Sequence, residues 1–307
     1  MILTASSRLH PLTFDLPPLP LGKEFANLMS QHKPAYVAAC FDCTRDDVFR
    51  RALFPAYKQN RDAQPPELLA LVPRAIIYLQ ALGCVSFRSP THEGDDLMGS
   101  LSYMARALAP DVTTILVTED KDMMCLVNEN TFVMHPRTLQ IFDAAAVETK
   151  LGVPPSLVAD LLSLAGDPVD GIPGVKGVGP QTAVRLLKAF GSLDNLYENL
   201  DEVAAVPNLR GAKTLAEKLR KQKEDVWIFR SVVALACDVK LELPLSSSSS
   251  SSSLLSSLEH LRYLGVNKVR GEALMEEAMG AKGVGKGPYL KLLKEQQKEQ
   301  QRRSVPF

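Results

Sequence analysis

No stretch of this 307-residue chain reaches the 18 or so uninterrupted apolar residues of a membrane-spanning helix, so no membrane partner is expected. The first residues, MILTASSRLHPLTFDLPPLPLGKEF, lack a basic stretch followed by a long apolar core, which argues against a secretory signal. They also hold too little arginine for a transit peptide. Neither sign of charge is in excess, with 35 basic against 35 acidic residues. The total therefore speaks neither for nor against a nucleic-acid partner, because a binder can segregate its charges into patches. Cysteine is sparse: five residues, an odd number, scattered from Cys40 to Cys237. That is no disulfide framework, and a reducing, intracellular compartment is the expectation. Cys40 and Cys43 form a CxxC, but no second pair or nearby histidine completes it. They also lie in or just after an apolar run, Tyr36 to Phe41, that reads as a strand, where residues three apart face opposite ways.

What is present suffices for a core: 46% hydrophobic residues in 33.6 kDa, enough for one large domain or two ordinary ones. Residues 22–33 read as a helix and 35–42 as a buried strand ending on Asp42. A basic segment, FRRALFPAYKQNRDAQPPEL, leads into an amphipathic helix from about Pro66 to Leu82. Residues 84–90 read as a short strand, EGDD opens a helix, and TTILVTEDKD is a β-branched run ending in carboxylates. TFVMHP and LQIFD are two short strands able to pair. Strands alternating with helices predict an α/β fold with a parallel sheet covered on both faces. After Val153-Pro154-Pro155 the pattern becomes short helices separated by glycine and proline, with basic residues concentrated between Arg210 and Arg230. The reading divides the chain into an α/β domain over 1–150, a helical region over 151–245, a serine-rich linker over 246–257 and a basic, Gln-rich tail over 258–307. From about Lys282 the tail is expected to be either a frayed helix or disordered. The serine tract hints at a eukaryotic source, with nucleus, mitochondrion or plastid as destinations.

Acidic residues gather where strands end or helices begin: Asp42; Glu93, Asp95 and Asp96; Asp120 and Asp122; Asp167 and Asp170. Functional sites of open parallel sheets lie outside the carboxyl ends of the strands. Eight carboxylates on one rim would repel unless hard cations sat among them, and oxygen-only ligands suit Mg²⁺ or Mn²⁺. Two such ions can activate water and stabilise the leaving oxygen of a phosphodiester. The plainer reading of each acid is a helix cap or first-turn residue.

The most specific segment is GDPVDGIPGVKGVGPQTAVRLLKAFGSL, residues 166–193. Its core from Ile172 to Pro180 joins two short helices by a glycine-rich turn. Gly177 and Gly179 let backbone N–H groups approach a phosphate, and the next helix N-terminus adds a favourable dipole. Val175 and Val178 are placed to hold the helices together. The pattern reads as a helix–hairpin–helix contact to the DNA backbone by shape and charge rather than by sequence, the plainer alternative being a purely structural αα-hairpin.

These motifs together resemble the 5′-nuclease superfamily, which includes the 5′→3′ exonuclease domain of bacterial DNA polymerase I, phage 5′ exonucleases and flap endonucleases. The resemblance runs from about Gly22 to Pro244. It rests on FD at 41–42, LFPAYKQNR at 53–61, EGDD at 93–96, TEDKD at 118–122 and GDPVDGIPGVKGVGPQTA at 166–183. It implies a PIN-like α/β nuclease domain followed by an all-helical helix–three-turn–helix DNA-binding region. It places the eight carboxylates on metal-binding positions for two ions. Lys58 and Arg61 would act on the scissile phosphate and Tyr57 would stack on a base. Gly174, Val175, Lys176, Gly177, Val178, Gly179, Gln181 and Thr182 would hold duplex DNA, with a K⁺ ion at the turn. The implied activity is a Mg²⁺-dependent 5′→3′ exonuclease and flap endonuclease of replication or repair, acting on DNA with a 5′ flap, a nick or a free 5′ end as a monomer. The family also opens with a buried strand ending in Asp-Gly, and nothing here matches it. Asp15 is the sole candidate, but Leu16-Pro17-Pro18 follows it. The chain then reads as a truncated gene model or isoform, or as one that has lost a ligand; the alternative function is a catalytically impaired, structure-specific DNA-binding protein. Glu119 and Gly171 also depart from the pattern. No polymerase domain follows in this sequence, and a stand-alone form is the expectation.

Overall fold

The alternation of apolar runs with glycine- and proline-bounded helices is realised in the computed structural model, which describes residues 2–5, 19–209, 211–243, 254–266, 268–279 and 286–303. In chain order the elements are β1 (Ile2–Ala5), α1 (Leu19–His32), β2 (Val37–Phe41), α2 (Arg50–Leu53), α3 (Pro66–Ala81), β3 (Val85–Arg88), α4 (Gly94–Leu108) and β4 (Thr114–Val117). There follow β5 (Thr131–Met134), β6 (Ile141–Phe142), α5 (Ala144–Leu151), α6 (Val158–Ala165), α7 (Pro180–Phe190) and α8 (Leu193–Glu198). The last elements are α9 (Ala212–Lys221), α10 (Lys223–Val233), α11 (Lys268–Met279) and α12 (Lys286–Arg303). They form two compact units that interleave along the chain: residues 1–43, 63–117 and 237–307 in the first, 44–62 and 118–236 in the second. The serine tract at 246–253, Asp15 and Arg210 lie outside the described residues.

The first unit is built on four parallel strands in the order β3-β2-β1-β4. β2 is buried along its whole length, as its unbroken run VAACF requires for a strand covered on both faces. α4 contacts all four strands. A strand stands where the sequence reading found none: β1 pairs through Leu3 with Ala38 of β2 and with Leu116 of β4, in the middle of this sheet. Its four residues, ILTA, were too short to register as a periodic run, and backbone pairing on both sides supplies what the pattern did not. They contain no acid, so the strand is present without an Asp-Gly.

The basic C-terminal segment, expected from about Lys282 as a frayed helix or disordered, forms a packed helix from Lys286, preceded by another over Lys268–Met279. α11 packs on α3, and α12 on α1. Met275, Tyr289 and Leu292 are buried, a short apolar stripe hidden in a Lys/Gln-rich background. Ser30 Oγ donates to Glu295 at 2.7 Å, and Lys291 Nζ to Asn27 at 3.0 Å.

The second unit holds the antiparallel β5–β6 hairpin, with Val133 opposite Phe142, and the helices α2 and α5 to α10. α6 packs on α7 and on α10, and α2 on α10. No helix among the described residues is long and apolar enough to cross a membrane.

Candidate metal centre and nucleic-acid interface

Four of the eight expected carboxylates belong to each unit. In the first, β2 delivers Asp42 to the start of α4. Asp42 Oδ1 accepts from the Gly94 N–H at 2.7 Å, and a Cβ on Gly94 would come within 3.1 Å of that oxygen. Glycine here thus lets the helix N-terminus approach a carboxylate. Glu93 and Asp96 form a capping box, with the Asp96 carboxylate accepting from Glu93 N–H at 3.1 Å. The plain cap role holds for these two, and both side chains are nonetheless buried, Asp96 completely. Asp95 is half-buried beside them. The nearby thiols do not compete as ligands. Burial, then Glu93 and Asp42, push Cys43 up to about 12, and burial, then Asp96, push Cys237 up to about 11. All five cysteines are free.

In the second unit, a short 3₁₀ turn from Asp122 to Leu126 follows Asp120, whose Oδ1 accepts from Asp122 N–H at 3.0 Å. Asp167 and Asp170 come from the turn after α6, where Asp167 and Ile172 exchange backbone hydrogen bonds of 2.8 Å. Both side chains are buried. Lys121 Nζ reaches Asp167 Oδ2 at 2.8 Å. Asp122 is the strained member. Its Oδ1 is shielded from solvent and has no hydrogen-bond partner. Burial, then the Asp120 and Asp167 charges, hold its carboxyl well above the usual carboxylate range, against the opposing pull of Lys121. Among the described residues no three Asp, Glu, His or Cys side chains converge closely enough to enclose an ion unaided. The donor set still fits a hard divalent cation: a shielded, unpartnered carboxyl oxygen with three further carboxylates acting on it is where such an ion would favour the ionised form.

The expected clamp residues converge on one of these acids. Arg61 Nη2 pairs with Asp170 Oδ1, Lys58 Nζ lies 3.7 Å from Asp170 Oδ2, and the Tyr57 hydroxyl donates to Asp170 Oδ2 at 3.2 Å. The backbone follows the side chains: Lys58 N–H donates to Asp170 O at 2.9 Å, with Lys58 at a φ of +54°. Asn60 Nδ2 and Arg61 Nε add bonds to the carbonyls of Pro168 and Val169. Tyr57 does not have the place that stacking on a base demands. Its ring is 4% exposed and Lys58 Nζ lies 4.9 Å from the ring centre, so it is a buried spacer with a polar tip. The sequence pattern could not tell a buried tyrosine from an exposed one in a loop.

The glycine turn has the expected form. Val175 and Val178 are buried, and Val175 N–H donates back to Leu164 O of α6 at 2.8 Å. Lys176, Gly177, Gly179 and Gln181 are exposed, and Thr182 is half-buried. Gly174 (φ +66°) is demanded by the fold, since a Cβ there would lie 2.3 Å from Gly166 N. Gly179 is not: it has a φ of −88°, it caps α7, and a Cβ would meet nothing within 4 Å. Lys176 N–H is held by Gln222 Oε1 at 3.0 Å, so α9 and its C-cap buttress the turn. The sequence reading missed Gln222, Lys121, Asn60 and Arg50. Each is a polar residue whose partner lies tens of residues or more away, and no local periodicity marks it.

A strand-end acid set, a cationic clamp and a glycine hairpin on an α/β frame with appended helices define the nuclease class. Comparison with known proteins makes this specific. Residues 21–152 match the family model described as 5′-3′ exonuclease, N-terminal resolvase-like domain, and residues 153–253 match 5′-3′ exonuclease, C-terminal SAM fold. The chain is 32% identical over 205 residues to a 5′-3′ exonuclease of Buchnera aphidicola subsp. Acyrthosiphon pisum, covering 67% of this chain and 70% of that one. It is 31% identical over 255 residues to the 5′-3′ exonuclease of Aquifex aeolicus, covering 79% and 83%. It therefore belongs to the 5′-3′ exonuclease family. A DNA polymerase I of Pseudomonas aeruginosa is 34% identical over 258 residues, but this chain spans only 28% of it. In fold, the chain is similar to T5 5′-exonuclease solved with divalent zinc ions (TM-score 0.63, 19% identity, 77% of this chain and 89% of that one). It is also similar to the catalytic core of Rad2 in complex with a DNA substrate (TM-score 0.55, 14% identity, 95% and 91%).

Proposed function

We propose that this enzyme hydrolyses DNA phosphodiesters next to a 5′ end, at flaps, nicks or free 5′ termini, using two divalent cations, Mg²⁺ or Mn²⁺. The observation that carries the reading is the second unit's acid set, with Asp122 Oδ1 buried and unpartnered and Lys58 and Arg61 gathered on Asp170. When bound, the cations supply an activated water and stabilise the leaving oxygen. Asp120, Asp122, Asp167 and Asp170 in the second unit provide oxygen ligands, directly or through water, and Asp42, Glu93, Asp95 and Asp96 are the first unit's own acid set. The chain's own cations do the rest. Lys58 and Arg61 are already held in one place by Asp170, so a phosphate can exchange for that carboxylate without recruiting mobile side chains, which lowers the ordering cost of binding. The exposed glycines Gly177 and Gly179 and the N-terminus of α7 accept the sugar–phosphate backbone, and a K⁺ ion at that turn would add to the same contact.

Incubation of a 5′-flap duplex with the protein and Mg²⁺ tests the reading. Cleavage that is lost in an Asp120→Ala/Asp122→Ala variant is expected; no cleavage by wild type, or equal cleavage by the variant, refutes it. The absence of an acid in β1 favours a second reading, a structure-specific binder with impaired hydrolysis. Tight flap binding without turnover across Mg²⁺ and Mn²⁺ would select it.

A further inference from the structure

Arg50 has no part in the reading above, yet it is 2% exposed. A guanidinium is removed from water at such a place only when its N–H groups find acceptors. Arg50 Nε donates to Val232 O at 2.7 Å, and Nη2 donates to Ala234 O at 2.9 Å. These are carbonyls at the C-terminal end of α10, where the helix leaves acceptors unsatisfied and its dipole favours a cation. The guanidinium also lies 4.7 Å from the centre of the Phe49 ring. Phe54 adds an edge-on contact with Phe229 of α10, centroids 5.6 Å apart. From there the chain is tightly wound into the clamp: Phe54 N–H donates to Arg50 O at 2.8 Å and Tyr57 N–H to Phe54 O at 2.9 Å.

α10 is itself fixed to the helices that carry the hairpin. Arg230 Nε pairs with the buried Asp160 of α6 at 2.9 Å, and the other Asp160 oxygen accepts from Leu193 N–H at 2.9 Å. α6 then runs into the turn that supplies Asp167, Asp170 and the glycines. Lys58 and Arg61 are thus held from two sides: by Asp170 directly, and by Arg50 through α10.

We propose that Arg50 is a positioning residue for catalysis. It fixes the base of the Tyr57–Arg61 segment to α10, so that the helices which grip the duplex also set where Lys58 and Arg61 meet the scissile phosphate. The inference rests on the nuclease reading. Misplacement of a catalytic group by about 1 Å costs roughly 100-fold in rate, whereas the duplex contact at the hairpin is untouched. Loss of Arg50 is therefore expected in kcat and not in KM or in flap affinity.

Arg50→Met and Arg50→Lys are compared with wild type on a 5′-flap substrate, by single-turnover cleavage and by fluorescence anisotropy. Arg50→Met is expected to slow cleavage about 10- to 100-fold with affinity within about twofold. Arg50→Lys, which keeps the charge but reaches one carbonyl at a time, is expected to fall between. In a Lys58→Ala/Arg61→Ala background, Arg50→Met should slow residual cleavage by less than about twofold, because the groups it positions are gone. Should Arg50→Met fail to fold, Arg50→Lys carries the same comparison, and a folded Arg50→Lys with wild-type cleavage rate overturns the proposal. An effect confined to affinity, or a full additive loss in the double-alanine background, overturns it as well. An inactive wild type instead overturns the nuclease reading.

Discussion

Replacing Asp122 by asparagine removes one charge from a place where the fold pays to keep it. Its carboxyl is held well above the usual carboxylate range by burial and by Asp120, Asp167 and Asp170. An unfolded aspartate titrates near 3.9, so between that pH and the raised folded value the native chain binds a proton that the unfolded chain has released. Stability therefore falls as pH rises through this window, and the loss is complete once the folded group ionises. Each pH unit of the window corresponds to about 1.4 kcal/mol. Asp122→Asn is therefore expected to be more stable than wild type at pH 8 in EDTA, with little difference near pH 4. The difference is read as a higher melting temperature for the variant, each kcal/mol being worth roughly 2–4 °C in a chain of this size. Trp227, the sole tryptophan, lies in α10 of the second unit and reports on that unit in a thermal fluorescence scan. Mn²⁺ should raise the melting temperature of wild type more than that of the variant, because the cation and the substitution relieve the same repulsion. An asparagine variant that melts at or below wild type at pH 8 in EDTA would refute the account of this site.

The two hairpin glycines separate fold from binding. Gly174→Ala sets a Cβ 2.3–2.7 Å from backbone atoms of residues 164–166 and should cost about 3 kcal/mol or more in urea unfolding. Gly179→Ser supplies a better helix cap in open space, so stability should hold or rise while affinity for a 5′-flap duplex falls, measured by anisotropy. Arg230→Met leaves the buried Asp160 without its ion pair, and a loss of about 3 kcal/mol is expected by far-UV circular dichroism, which avoids the change in Trp227 surroundings. Tyr57→Phe keeps the ring and removes the hydroxyl bonded to Asp170; single-turnover cleavage should fall several-fold with flap affinity kept. Unaltered cleavage by Tyr57→Phe, with loss in Tyr57→Leu, would return the stacking role to this residue.

The order of elements, the α/β class and the candidate acids were legible because each depends on neighbours in the chain. An unbroken apolar run such as VAACF has to be a doubly covered strand, and a glycine string between two short helices has to turn. The same holds for Val175 and Val178, whose spacing across the turn already required them to be inside. Four features depended on contacts distant in sequence, and only the folded chain decided them. β1 exists because β2 and β4 pair with it on either side, which no four-residue pattern can announce. The C-terminal helices are ordered by the α1 and α3 surfaces they cover, against a composition that suggests a tail. Tyr57 is turned inward by Asp170, 113 positions away. Arg50 and Arg51 are adjacent and chemically identical in the sequence; what separates them is that the free carbonyls ending α10 lie within reach of the first, and burial at that point turns a surface charge into a structural hinge pin.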